Sequence, residues 1–408
     1  MPDTLKPRDE KEVGDALQWA LAEGQTLEVV GHGSKRAIGR AAQSDATLNL
    51  SGISGIRLYE PEELILSAGA GTPVAEIEAA LAEHKQELAF EPMDCAPLFG
   101  AGPGLGTLGG MIATNLSGPR RIKAGSARDF ALGIHAVSGR GEIFKAGGRV
   151  VKNVTGYDLP KFVAGSWGTL AVMTEITIKV LPRSEAVETL LVIGLDDIRA
   201  VEAMSRAMGS SCEVSGAAHF PQDAAARMPV TAVSAIAAAG KSVTALRLEG
   251  IPVSIAYRKA KLERLISPFG PLVSLAAEDS RVLWRAVRDA IPFADGSQNP
   301  VWRISTTPSE APKIATAIRA STRARIFYDW AGGLIWAAMP TGIAEEWAVR
   351  SALAGRGYAL LVRADPAVRA SSQVFEPLDS GLAALSRRLK DSFDPKGILN
   401  PGRMYAGV

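Results

Sequence analysis

With 45 Lys and Arg against 43 Asp and Glu in 408 residues, the chain carries a formal charge of +2 and no single-sign field to hold a nucleic acid. Two cysteines, Cys95 and Cys212, exclude a disulfide framework and a cysteine-ligated iron–sulfur cluster within the chain. No apolar run reaches the ~20 residues of a membrane helix, and residues 1–13 are too polar for a secretory signal, so a cytoplasmic chain of two or three domains is expected.

Residues 11–23 read as an amphipathic helix: Val13, Ala16, Leu17, Ala20 and Leu21 share a face, and Gly24 follows as a C-cap. Strands are expected at 27–30, 47–50, 56–59 and 64–68, separated by Ser51-Gly52 and Pro61. Thr72-Pro73 predicts an N-cap and a first-turn proline for a helix reaching about residue 84. Strands at 130–137, 143–146 and 172–180 complete an α+β body closed by Leu181-Pro182. From 185 to 379 the texture changes. Strands at 189–193, 243–248 and 302–306 each lead to an amphipathic helix, at 197–208, 259–265 and 312–320, with further strands at 326–328 and 334–338. This alternation predicts a separate sheet-and-helix cap. A last helix over 382–393, with Leu382, Leu385 and Leu389 on one face, runs into a Pro- and Gly-rich tail. The expected domains are therefore 1–184, 185–379 and 380–408.

Four glycine-rich turns carry the chemistry. The strand at 27–30 runs into Gly31-His32-Gly33-Ser34-Lys35, where successive N–H groups can form an anion-binding concavity and Lys35 adds a point charge suited to phosphate. Alone, that turn reads equally as an ordinary strand-to-loop corner. The others are Gly102-Pro103-Gly104-Leu105-Gly106-Thr107-Leu108-Gly109-Gly110, Lys152-Asn153-Val154-Thr155-Gly156-Tyr157-Asp158, and Gly165-Ser166-Trp167-Gly168-Thr169-Leu170. Glycine lets main-chain N–H groups approach a ligand without a side chain between, so the set suggests a backbone wall around one long, phosphate-bearing cofactor. Thr107, Thr114 and Asn115 could bond its phosphates or ring edges, or simply end a short helix. Gly156-Tyr157-Asp158 could set an aromatic ring and a carboxylate beside it, or form a turn with a half-buried tyrosine.

Gly104-Leu105-Gly106-Thr107-Leu108-Gly109 also satisfies the dinucleotide fingerprint. That fingerprint requires a buried strand immediately before it. Here the preceding segment is Glu91-Pro92-Met93-Asp94-Cys95-Ala96-Pro97, which is turn-like and argues against a nicotinamide-binding unit.

The order of these motifs, followed by Phe393-Asp394-Pro395-Lys396-Gly397-Ile398-Leu399-Asn400-Pro401-Gly402-Arg403, resembles the vanillyl-alcohol oxidase and p-cresol methylhydroxylase type of FAD-binding proteins. Within that type, Ser117-Gly118-Pro119-Arg120-Arg121 and Lys152-Asn153-Val154-Thr155-Gly156-Tyr157-Asp158 are similar to the E-subunit family of bacterial glycolate oxidases. The resemblance implies a two-lobed FAD-binding domain, a separate α+β cap, and a tail that returns to the flavin domain. It implies non-covalent FAD held by Gly31, His32, Gly33, Ser34, Lys35, Thr107, Gly109, Gly110, Thr114, Asn115, Gly156, Tyr157, Asp158, Gly168, Ile176 and Asn400. It also implies partners: a paralogous FAD-binding catalytic subunit and an iron–sulfur subunit, through which a chain with no membrane span of its own could meet a membrane.

Substrate chemistry is less legible. Oxidising a 2-hydroxy acid calls for a cation to hold the carboxylate and a base to take the hydroxyl proton. The four histidines, His32, His84, His135 and His219, are scattered without metal-ligand spacing, so no metal site is expected. Arg303, Tyr328 and Asp329 are weak catalytic candidates in cap strands, with Trp330 and Trp336 beside them; Arg303 reads more readily as a structural residue. Arg120, Arg121 and Lys123 read as a solvated basic loop or a partner contact. An electron-relaying subunit fits these features first. A self-sufficient flavin dehydrogenase of another small hydroxy acid or alcohol, and an assembly subunit with a purely structural flavin, are the alternatives.

Overall fold

The computed structural model describes residues 3–149 and 156–408; Lys152, Asn153, Val154 and Thr155 of the third glycine-rich motif lie outside the described residues. The chain begins with a three-stranded parallel sheet in which Ala46–Asn49 lies between Asp3–Leu5 and Leu27–Val30. The helix Glu10–Glu23 covers it. Asp9 accepts the Glu12 N–H at its start, and Gly24 closes it in the left-handed conformation at φ 65°. Its buried face (Val13, Leu17, Ala20) packs with Leu27, Leu48 and, from the far end of the chain, Ile398 and Leu399.

A five-stranded antiparallel sheet follows, ordered Ile56–Glu60, Ile65–Gly69, Ala171–Lys179, Ala131–Ser138, Ile143–Gly147. The helices Val74–Glu83 and Leu108–Thr114 share its core, which includes Leu66, Ile77, Leu81, Phe90, Ile112, Ile134 and Ile176. Thr72 does not cap the first of these helices. Pro73 occupies the cap position, and the Thr72 hydroxyl instead accepts the Gly55 N–H at 2.9 Å.

The cap is an eight-stranded antiparallel sheet, ordered Leu272–Leu275, Ala186–Ile193, Val243–Gly250, Gly216–Phe220, Arg325–Asp329, Leu334–Ala338, Val301–Thr306, Gly357–Arg363. The helix expected at 259–265 is longer, Pro252–Ile266. Proline takes its first turn, and Val253 and Tyr257, 81% and 70% exposed, obscure its apolar period. The mixed α+β architecture agrees with the sequence reading.

The last helix, Ser380–Phe393, departs from the amphipathic expectation: Leu382 and Leu385 face solvent, and its only buried residue is Lys390. That buried ammonium donates to the carbonyls of Thr169 at 2.7 Å and Leu399 at 2.9 Å and pairs with Asp394 at 2.7 Å. Asp394 in turn accepts the N–H groups of Ile398 and Leu399. A cation with every proton placed on an acceptor can be buried. This clasp lays the tail beside the first sheet, where Leu399 bridges Leu27 in parallel.

Candidate functional site

The first sheet, the five-stranded sheet and the returning tail surround one cleft with ≈ 730 Å³ of space open to solvent. Its floor is the corner after Leu27–Val30. Gly33 there has φ +80°, which a Cβ would strain. A Cβ at Gly31 would stand 2.4 Å from the Thr107 hydroxyl, so the first and second glycine-rich turns can touch only through glycine. Among the described residues, the N–H groups of His32, Gly33, Ser34 and Lys35 donate to nothing in the chain. Thr107 caps Leu108–Thr114, its hydroxyl accepting the Gly110 N–H at 3.3 Å. On the opposite side Asn400 locks the tail: its side chain accepts the Val29 N–H and donates to the Trp167 carbonyl, both at 2.8 Å.

Of the cofactor residues expected from sequence, Gly31, His32, Gly33, Ser34, Lys35, Thr107, Gly109, Gly110, Thr114, Gly168 and Asn400 line this cleft. The others do not. Asn115 closes its helix in the left-handed conformation and accepts the Arg128 N–H. Ile176 packs in the same core as Ala171 and Met173, because the strand bulges at Thr174 and alternation is reset there, but it lies beyond the lining of the cleft. Tyr157 is 92% exposed rather than half-buried, Asp158 caps Leu159–Val163 and pairs with Lys161, and Gly156 precedes them in the same turn. Arg36, Trp167, Met173 and Arg403 line the cleft without having been expected. Arg403 was legible as the end of Asn400-Pro401-Gly402-Arg403; Met173 needed strand parity.

The lining suits a long diphosphate-bearing cofactor. Unclaimed N–H groups form the corner, and Lys35, Arg36 and Arg403 supply positive charge. Apolar Leu50, Ala113, Trp167, Ala171 and Met173 offer a surface for an aromatic ring. The buried hydroxyl of Ser166, in the fourth turn, has no partner among the described residues. Cys95 is fully buried, and desolvation pushes its thiol up to about 11, away from thiolate reactivity.

The cap meets the body through charged side chains. Arg120 pairs with Glu249 at 2.6 Å and with Glu87; Arg247, 2% exposed, pairs with Glu91 at 2.7 Å. Burial pushes the Glu91 carboxyl up, but Arg247 and Arg120 outweigh it and hold the group down at about 2. Arg120 is thus no solvated loop residue: it joins Glu87 of the body to Glu249 of the cap, far off in sequence. Arg121 is exposed and stacks on Trp330, 4.5 Å from the ring centroid. Trp330 donates its indole N–H to the Gly118 carbonyl at 2.9 Å.

The three catalytic candidates split between two sides of the cap sheet. Tyr328 donates to Asp197 at 2.6 Å, beside Arg319 and His219, and has no part in the joint. Arg303 stacks on Trp330 at 4.7 Å, and burial followed by Arg121 draws its guanidinium down to about 10, still cationic near neutrality. Asp329 is 1% exposed and accepts the Trp330 N–H; burial lifts its carboxyl to about 7. Neighbouring strand residues point to opposite faces, so Tyr328 and Asp329 cannot serve one pocket. The histidines are equally dispersed. His32 stands in the cleft corner, His84 against Tyr59, His135 near Glu10 and His219 against Thr244.

Two families match this chain: the FAD binding domain over residues 4–147, and the FAD linked oxidases C-terminal domain over 372–404. The segments that build the cleft fall largely within these two matches. The chain is 33% identical to the glycolate oxidase subunit GlcE of Escherichia coli, over 96% of each chain. It is 30% identical to the glycolate oxidase subunit GlcD of Bacillus subtilis over 47% of this chain and 40% of that one. The fold superposes on p-cresol methylhydroxylase with a TM-score of 0.74 at 13% identity, covering 99% of this chain and 88% of that one. FAD is therefore the cofactor, and no helix among the described residues is long and apolar enough to cross a membrane. The chain belongs to the FAD-linked oxidases, in the branch that holds the glycolate oxidase subunit GlcE.

Proposed function

We propose that this chain is the FAD-binding, electron-relaying subunit of a multi-subunit glycolate (2-hydroxy acid) oxidase. In this reading residues 1–184 form the FAD-binding domain, 185–379 the cap, and 380–408 the returning tail. Gly31 to Lys35, Thr107, Gly109, Gly110, Thr114, Gly168 and Asn400 hold the cofactor without a covalent link. Bound FAD supplies a redox centre able to exchange one or two electrons. The protein's share is to seat the diphosphate on main-chain N–H groups and cations and to shield the ring with Trp167 and Met173.

The observation that carries the relay reading is the dispersal of proton-transfer groups. The four histidines stand in four different surroundings, and Tyr328 is committed to Asp197. The full-length likeness to GlcE and the partial likeness to GlcD favour partners of the same kind: a paralogous flavin subunit bearing the main substrate site, and an iron–sulfur subunit as electron outlet. A cytoplasmic complex, meeting a membrane only through those partners, fits this assembly. One observation favours the self-sufficient dehydrogenase instead: Arg303 and Asp329 sit together at the cap joint, a cation and a carboxyl that titrates near neutrality.

Stopped-flow bleaching of the flavin in the purified chain separates the two. Slow or absent reduction by glycolate alone, with fast reduction once the partner subunits are added, is expected. Rapid single-turnover reduction without partners overturns the relay reading.

A further inference from the structure

Beside the cleft, and sharing Arg36, Asn400 and Arg403 with it, lies a second cavity with ≈ 600 Å³ of space open to solvent. Arg36, Arg40, Arg369 and Arg403 line it, with Glu28 as its single carboxylate. Glu28 is largely taken by Arg36, which reaches both of its oxygens at 2.8 and 2.9 Å; Arg403 comes no closer to it than 3.6 Å. Four guanidiniums against one carboxylate leave a strong positive excess in a confined space.

The buried arginines are also incompletely bonded. Arg369 and Arg403 are 8% and 9% exposed. Arg369 donates to the Gly39 carbonyl at 3.0 Å and Arg403 to the Lys35 carbonyl at 2.7 Å, but the Nε–H of each has no acceptor among the described residues. A buried donor left without an acceptor loses its bonds to water and gains none in return. Burial, opposed by Glu28 and reinforced by Arg369 and Arg36, draws the Arg403 guanidinium down to about 10. Burial likewise lowers Arg369, with Asp365 opposing. Asp365 is engaged by the Ala367 N–H. Converging, desolvated like charges with orphan donors call for an anion.

We propose that Arg40, Arg369 and Arg403, with Arg36 at the rim, form an anion site for a phosphate-class dianion, separate from the FAD corner and sharing its wall. A planar carboxylate is satisfied by one bidentate guanidinium, whereas a tetrahedral oxyanion accepts from several directions. The excess charge favours a dianion over a monoanion, and the cavity leaves room for part of an organic ester beside the phosphate. The ligand is therefore either inorganic phosphate or a small phosphate ester. Because Arg36, Asn400 and Arg403 line both cavities, an occupant here stands next to the cofactor's own anionic groups.

The test is calorimetric titration of the flavin-loaded full chain with inorganic phosphate, a sugar phosphate and acetate, at constant ionic strength in chloride. Saturable one-to-one binding of phosphate without acetate binding is expected. Arg40→Gln and Arg369→Gln should weaken it at least tenfold while flavin content stays unchanged; if Arg369→Gln fails to fold, Arg40→Gln alone decides. Tighter binding of the sugar phosphate identifies an ester as the ligand. Absence of saturable binding, or equal binding in both variants, overturns the proposal. So does phosphate binding only to flavin-stripped protein in competition with FAD, because the arginines would then hold the cofactor's own diphosphate. Flavin content is read separately, so failure here leaves the FAD assignment untouched.

Discussion

The FAD-binding body and the cap solve the same problem, a stable wall around a site, by opposite means. The body uses main chain: a corner of unclaimed N–H groups, a glycine against Thr107, and a tail pinned through Asn400 and Lys390. The cap uses side chains. Arg120 and Arg247 meet Glu87, Glu91 and Glu249, and Trp330 reaches across to Gly118. A backbone wall receives a ligand without rearranging rotamers, whereas a side-chain wall sets the position of one body on another. Cofactor binding and joint stability should therefore be separable by mutation.

The largest effects break each half alone. Gly31→Val should abolish FAD retention, because the new methyl groups would overlap Thr107. Visible absorbance per chain measures it, and full flavin content would move the diphosphate elsewhere. Glu91→Gln leaves Arg247 and Arg120 short of a buried counter-charge and should cost roughly 3–5 kcal/mol of unfolding free energy. Denaturant unfolding of the flavin-loaded chain measures that cost, and flavin content should hold. Loss of flavin with unchanged stability would show that the joint serves the cofactor rather than the fold.

This contrast also explains what the sequence could reveal. Turns such as Gly31-His32-Gly33-Ser34-Lys35 are local, so their glycines, and most of the cleft lining, were readable in order. Asn400 and Arg403 were readable only as part of a short tail motif. The cap joint was not readable, because Arg120 meets residues as distant as Glu249 and no local pattern announces such a pairing. The same limit misled the reading of Arg303, Tyr328 and Asp329 as one group: proximity in sequence hid the alternation of strand faces. Ile176 keeps the face of Met173 past a strand bulge yet lies beyond the cleft, and Leu382 and Leu385 belong to an amphipathic pattern whose apolar face stays in solvent.

Smaller effects sharpen the comparison. Asp329 has a carboxyl raised to about 7 in the fold, against about 4 when unfolded. The folded chain therefore holds a proton that the unfolded chain releases. The associated stability is complete below about pH 4 and is lost as pH rises through about 7. Asp329→Asn should flatten that slope and raise stability at pH 8, since the amide oxygen can still accept the Trp330 N–H. An unchanged pH profile would mean that the carboxyl is ionised in the joint. Lys35→Ala, which removes one charge beside the corner, should weaken FAD by roughly 1–2 kcal/mol if it makes a single charge-assisted contact. Titration of flavin-stripped protein reads this directly, and no change would leave binding to the N–H groups alone.

The smallest expected effect falls on the turn that sequence joined to the cofactor and geometry does not. Tyr157 is 92% exposed, its neighbour Asp158 is occupied with the Lys161 N–H and ammonium, and neither lines the cleft. A side chain with that exposure has little buried area to lose, and surface substitutions of this kind stay within about 0.5 kcal/mol. Tyr157→Ala should therefore leave flavin content, flavin affinity and unfolding midpoint unchanged. Reduced affinity at unchanged stability would show that the ring closes over bound FAD, extending the cofactor wall to a turn that would then work by side chain rather than backbone. Reduced stability with intact affinity would instead place the ring in packing of the body. Unchanged flavin content and affinity keep Tyr157 outside the site, whatever the unfolding midpoint does.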